Sequence, residues 1–159
     1  MENRYELGRQ LVKTYTKWTA GAALVPMPLV DMVAITGLQL KMISDLAQHY
    51  DTPFRREWVR GGLAALTSGI GSTHLAYGAG ASLVKMIPVV GSFGSFLTLP
   101  ALAAATTYAV GQVFLQHFES GGTLLNFDAQ AMREHFEREF KAAQTESGAA
   151  AGAGATTPA

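Results

Sequence analysis

Apolar positions recur along this chain at helical spacing, and proline and glycine cut the pattern into separate segments. From Glu2 to about Leu24, Leu11, Tyr15, Trp18 and Ala22 fall on one face, while Arg9, Lys13 and Lys17 form a basic row at i, i+4 and i+8. Val25-Pro26-Met27-Pro28 ends this helix, and Pro28 is suited to open the next, which runs to about Tyr50. The first half of that second helix is apolar almost all round. Asp51-Thr52-Pro53 is the next break, with Thr52 expected as N-cap and Pro53 at the first helical position. A third helix is expected over 54–83. Its glycines, Gly61 and Gly62 among them, suit a place where another helix comes close. A turn at Pro88, Gly91 and Gly94 leads to a fourth helix over 93–118, with Pro100 as a kink or late start. Gly121-Gly122 stops it. A short amphipathic helix over 128–143 places Met132, Phe136 and Phe140 on one face, and 146–159 is an Ala/Gly/Thr tail expected to be disordered.

Two stretches resemble each other. Trp18 to Met27 reads against Tyr77 to Met86, each followed by a proline, Pro28 or Pro88. The helices that follow end alike, in Gln48-His49-Tyr50-Asp51 and Gln116-His117-Phe118-Glu119. The expected architecture is therefore all-α: two tandem hairpins, over 3–51 and 54–119, forming a four-helix bundle with the short helix added, in one domain over 1–145.

Charge changes this picture. Only 15% of residues are charged, against about 25% in an average soluble domain. Between Arg60 and Glu119 stands one formal charge, Lys85. In a two-hairpin bundle both turns lie at one end, which is apolar, and the charges gather at the other. An apolar tip of this kind belongs in lipid or in an oligomer interface. The helices of the second hairpin are long enough to cross a bilayer, which takes about 20 residues, but serine, threonine and glycine leave their hydropathy borderline. Trp58 beside Arg55, Arg56 and Arg60 has the composition of an interfacial anchor. Arg55 and Arg56 fall where the dipole of their helix disfavours cations, so an anionic lipid surface or an acidic partner would account for them. The Arg9–Lys13–Lys17 row is a second surface of the same kind. A formal net charge of zero argues against nucleic-acid binding, and the polar, mixed-charge N-terminus lacks a signal-peptide pattern.

The run Lys17-Trp18 … Val25-Pro26-Met27-Pro28-Leu29-Val30-Asp31 … Gln39-Leu40-Lys41-Met42-Ile43 … Leu46-Ala47 … Tyr50 resembles the domain-of-unknown-function 697 family. So does Phe118-Glu119-Ser120-Gly121-Gly122-Thr123-Leu124-Leu125-Asn126-Phe127-Asp128. The resemblance covers roughly residues 10 to 141. It implies a helical protein associated with a membrane, on the cytoplasmic side of a bacterial inner membrane, in a family often fused to or encoded with Era-like or dynamin-like GTPases. It brings no catalytic residues. No phosphate-binding G-x-x-x-x-G-K-[S/T] run is present, so any GTPase would be a separate chain.

Candidate chemistry is sparse. Asp31 sits near the start of an apolar helix, where the helix dipole would stabilise it, and Lys85 is the cation available to pair with it across the tip. Gln39 suits a polar contact between helices, and Lys41 a cation reaching for solvent. His49 and His117 are repeat-equivalent, but histidines near helix C-termini are favoured by the dipole without any metal. With no cysteine and no credible nucleophile–base set, no enzyme, cofactor or metal is expected. The pattern favours a membrane-associated structural or interaction module, with a soluble bundle that homo-oligomerises through its tip as the alternative. An ion-conducting oligomer rests on Asp31, Lys85 and the glycines alone.

Overall fold

The computed structural model describes the backbone of residues 2–24, 28–74 and 94–154, and the side chains of residues 3–24, 33–68 and 100–146. Among the described residues there are five α-helices and no strand: α1 (Glu2–Ala22), α2 (Pro28–His49), α3 (Arg56–His74), α4 (Gly94–Glu119) and α5 (Arg133–Gly154). The segment expected to match Trp18–Pro28, Tyr77 to Pro88, lies outside the described residues.

The sequence of α4 explains its place. Ala105, Ala109, Val110, Val113, Phe114, Leu115 and Phe118 are all buried, so apolar side chains leave it in several directions. A helix apolar on several sides must be surrounded, and α4 touches each of the other four helices, most extensively α1 and α5. Pro100 lies inside α4 and is buried.

α1 crosses α4 antiparallel, with Gly8 against Leu115 and Val12 against Gly111. The buried face of α1 is Val12, Tyr15 and Thr19, while Trp18 is 56% exposed and Leu11 only partly buried. The expected face, Leu11–Tyr15–Trp18–Ala22, is therefore turned by one residue. The cause is backbone proximity. A Cβ on Gly111 would lie 2.5 Å from Val12 Cγ1, and one on Gly8 would lie 2.5 Å from Leu115 Cδ1. A close crossing selects the smaller side chains for the contact and turns the indole outwards. Gly61 and Gly62, the two glycines expected at close approaches whose surroundings are described, do not share this role. A Cβ on Gly61 meets nothing within 4 Å, and one on Gly62 meets the ring of Phe127 rather than a helix.

α2 runs parallel to α4 and in step with it. Gln39 Nε2 donates to Thr107 Oγ1 at 3.2 Å, and the rings of Tyr50 and Phe118 stand 6.2 Å apart, each pair 68 positions apart in the chain. Tyr50 also donates to Glu119 at 2.6 Å. The first-turn residues of α1 tie this end together. Arg4 pairs with Asp51 at 2.6 Å, donates to the His49 carbonyl and lies over the Tyr50 ring, while His49 Nε2 meets the Arg4 carbonyl at 2.8 Å.

Two helix ends close in the same manner. Thr52 N–H donates to Ala47 O and Asp51 N–H to Gln48 O, with Asp51 at φ 55°. At the end of α4, Gly122 N–H donates to His117 O and Gly121 N–H to Phe118 O, with Gly121 at φ 80°. Both are Schellman closures, which need one residue in the left-handed region. Because residues 51–52 complete the end of α2, they do not cap α3. The Thr52 hydroxyl donates back to the Tyr50 carbonyl, and α3 starts at Arg56, with the Arg55 carbonyl accepting from Val59 N–H. This corrects the expected Thr52–Pro53 start and moves Arg55 out of the first turn.

α5 starts five residues later than the pattern predicts. Asp128 Oδ1 accepts from the N–H groups of Gln130 and Ala131, making a local turn in which the helix does not yet form. Phe136 and Phe140 are buried, and Met132, just outside the helix, is partly buried against the same core. The helix continues to Gly154, past the expected end near Ala143. Alanine has the highest helix propensity, and this stretch is rich in it.

Candidate functional site

Among the described residues, α3 is the helix least enclosed by the others. Val59, Leu63 and Leu66 form its buried stripe, and a shallow groove lies along either flank of that stripe. On one flank, Arg56 and Arg60, one turn apart, stand over Val33, Thr36, Gly37 and Leu40 of α2. Leu40 is buried, Val33 is 75% exposed, and a Cβ on Gly37 would meet nothing within 4 Å. The four α2 residues follow an i, i+3, i+4, i+7 stripe, so the groove floor is one continuous strip of a helix surface.

On the other flank, Trp58 and Gly62 face Phe114, Leu124, Leu125 and Phe127. The loop after α4 is built to present these side chains. His117 is buried against Gly122 and its Nε2 meets the Thr123 carbonyl at 2.9 Å. Asn126 Oδ1 accepts from Thr123 N–H at 2.7 Å. Phe127 stacks on Phe114 at 4.4 Å and sits edge-on to His117. So fixed, the loop leaves Leu125 74% exposed beside Trp58, which is 42% exposed, with the Arg55 guanidinium 5.3 Å from the indole ring.

This surface carries three cations, Arg55, Arg56 and Arg60, against one acid, the exposed Glu57 in the first turn of α3. Ion pairs among the described residues join Arg4 to Asp51, Arg9 to Glu6, Lys41 to Asp45 and His135 to Glu139. Arg55, Arg56 and Arg60 are exposed and have no acidic partner there. Lys13 and Lys17 are likewise exposed and without one, and Arg9 is held at 3.6 Å from Glu6.

The remaining candidates are placed as follows. Gln39 is buried at the α2–α4 contact. Lys41 pairs with Asp45 at 2.6 Å, and Asp45 also accepts from the Tyr15 hydroxyl at 2.5 Å. The hydrogen bond from Lys41 to Asp45 raises the pKa of Lys41, and burial together with the carboxylate raises that of Tyr15. Asp31 lies within α2 but its side chain is outside the described residues, as is Lys85 altogether, so their expected pairing is not in view. His49 and His117 each hold a separate backbone carbonyl. Among the described residues no three His, Asp or Glu side chains converge as a metal site would require. Among them, too, no helix is long and apolar enough to cross a membrane. The groove residues Val33, Thr36, Gly37 and Leu125 were not singled out from sequence. The signal for the three in α2 was the stripe with a glycine in the first half of that helix.

An all-α fold around one enclosed helix, with an exposed aromatic and basic flank, defines a class of helical module rather than a reaction. The chain matches the family described as Domain of unknown function (DUF697) over residues 1–145, and it belongs to that family. It is also similar to the protein named magnetosome membrane protein 22 of Magnetospirillum gryphiswaldense. The two are 37% identical over 139 residues, covering 85% of this chain and 69% of that protein. No solved structure gives a significant match.

Proposed function

We propose that this protein is a membrane-associated helical structural and interaction module, without catalytic activity, that rests its α3 surface on an anionic leaflet. The observation that carries this is the exposed side of α3, with Arg56 and Arg60 on one flank and the half-exposed Trp58 under Arg55 on the other, none of the three arginines having an acidic partner among the described residues. The name of the magnetosome relative supports a membrane location. Each basic residue near an anionic surface contributes about 1 kcal/mol, and an indole with one face wet suits the headgroup layer. The side facing the cytoplasm of a bacterial inner membrane and a separate GTPase partner follow from the family resemblance and belong to the same proposal.

Vesicle flotation tests it. The full chain should float with vesicles containing phosphatidylglycerol, less with phosphatidylcholine alone, and less at high salt. Arg55→Glu with Arg56→Glu should reduce flotation roughly tenfold or more. Equal flotation of wild type and the double variant at low salt would remove the α3 surface from the proposal. A stable soluble oligomer that ignores vesicles would favour the homo-oligomer alternative.

A further inference from the structure

We infer that the groove between α2 and α3 seats one anionic phospholipid, its phosphate between Arg56 and Arg60 and the start of an acyl chain along Val33, Gly37 and Leu40. This rests on the membrane-surface reading and gives it a specific site. The floor of the groove is apolar, from Val33 and Leu40, with only the Thr36 hydroxyl and backbone to add polarity. The wall is two guanidiniums one helical turn apart, a spacing that lets both reach one phosphate. Neither arginine has an acidic partner among the described residues, and Arg56 is the first residue of α3, where the helix dipole works against a cation. A groove with apolar floor and doubly cationic wall complements an anionic amphiphile. The paired arginines favour an anionic headgroup over a zwitterionic one, whose ammonium offsets its phosphate, and the apolar floor favours a lipid over a free inorganic anion. Gly37 is where the groove is open, since a Cβ there would meet nothing within 4 Å among the described residues.

The distinction from general surface attraction is stoichiometry and salt. Cations on a surface hold lipid diffusely and release it at high ionic strength. A seated lipid keeps its apolar contact. The test is native mass spectrometry of the full chain exchanged from mild detergent with phosphatidylglycerol or phosphatidylcholine, beside the flotation measurement. The expected result is one phosphatidylglycerol retained per chain after a high-salt wash, and no phosphatidylcholine. Arg56→Gln and Arg60→Gln should each weaken retention roughly fivefold. Gly37→Trp should abolish retention by filling the groove, yet leave flotation on phosphatidylglycerol vesicles unchanged, because all three arginines remain. Gly37→Ala, which should melt no lower than the wild type and retain the lipid, controls for folding. Flotation without stoichiometric retention overturns the groove and leaves the surface reading intact. Retention without flotation does the reverse. Equal competition by glycerol 3-phosphate would overturn the lipid as occupant, because the floor would then contribute nothing. A change of oligomeric state in Gly37→Trp would overturn it in favour of a second copy of the chain.

Discussion

Val12 of α1 and Gly111 of α4 are packed so closely that a Cβ on the glycine would stand 2.5 Å from one valine methyl and 2.8 Å from the other. Valine is stiff about χ1 and cannot swing both methyls away. Gly111→Ala should therefore destabilise the protein by about 1–3 kcal/mol, although alanine is the better helix former. Val12→Ala makes room, so the double variant should be less destabilised than the two single effects added together. Denaturant titration of the four proteins decides this. Strict additivity would show that the contact is looser than described.

Gly37 predicts the opposite sign. With open space at its Cβ, Gly37→Ala should stabilise α2 by about 0.5–1 kcal/mol through backbone entropy alone. The paired measurement, Gly37→Ala against Gly111→Ala, separates a glycine that packing requires from one that packing permits.

Asp51 holds a left-handed conformation at φ 55° that glycine adopts without strain, while its carboxylate pairs with Arg4 at 2.6 Å. The left-handed region disfavours a side chain by about 1–2 kcal/mol, less for Asp than for most residues, and an exposed ion pair returns about 0–1 kcal/mol. Asp51→Gly should thus be neutral to mildly stabilising, and Asp51→Ala destabilising. Thermal melts of both variants check it, and a large loss in Asp51→Gly would mean that the Arg4 pair dominates.

Alkaline pH should loosen the end where α2 meets α4. Burial, reinforced by the hydrogen bond to Glu119, raises the pKa of Tyr50 well above its ordinary value. Tyr15 and Tyr108 are raised too, burial being the main cause in each. A group whose pKa is higher folded than unfolded contributes fully below its unfolded pKa and loses that contribution as pH rises. Stability should be level up to about pH 10 and fall beyond it. Tyr50→Phe removes one of these protons, so its stability should fall less steeply between about pH 10 and 12. Urea midpoints across that range test the slope.

If Asp31 and Lys85 pair across the tip, Asp31→Asn and Lys85→Met should each destabilise the protein, and the double variant should lose less than their sum. Additive losses would return Asp31 to a local role at the start of α2.

What could be read from the residues follows what is local. Pro28 opens α2, the break at Asp51–Pro53 holds, and Met132, Phe136 and Phe140 turn to the core, because proline geometry and helical spacing act over a few residues. The buried face of α1 could not be read, because it depends on Gly111, about a hundred positions away and unremarkable by itself. The start of α3 was misplaced because Asp51 and Thr52 can serve either helix, and closure of α2 wins. At the candidate surface, Arg55, Arg56, Trp58 and Arg60 stood out as a cluster. Their separation onto two flanks of one helix, and the α2 stripe they face, arises only from packing.

The enclosed position of α4 also has a consequence for synthesis. α1 and α2 leave the ribosome carrying Val12, Tyr15, Met42, Ile43 and Leu46, all buried when folding is complete. The helix that shields them is encoded downstream. At roughly 5–20 residues per second, several seconds separate Tyr50 from Glu119. For that interval the nascent chain holds an unshielded apolar hairpin. Whatever first occupies it, a chaperone or a nearby bilayer, meets this protein before its own core exists.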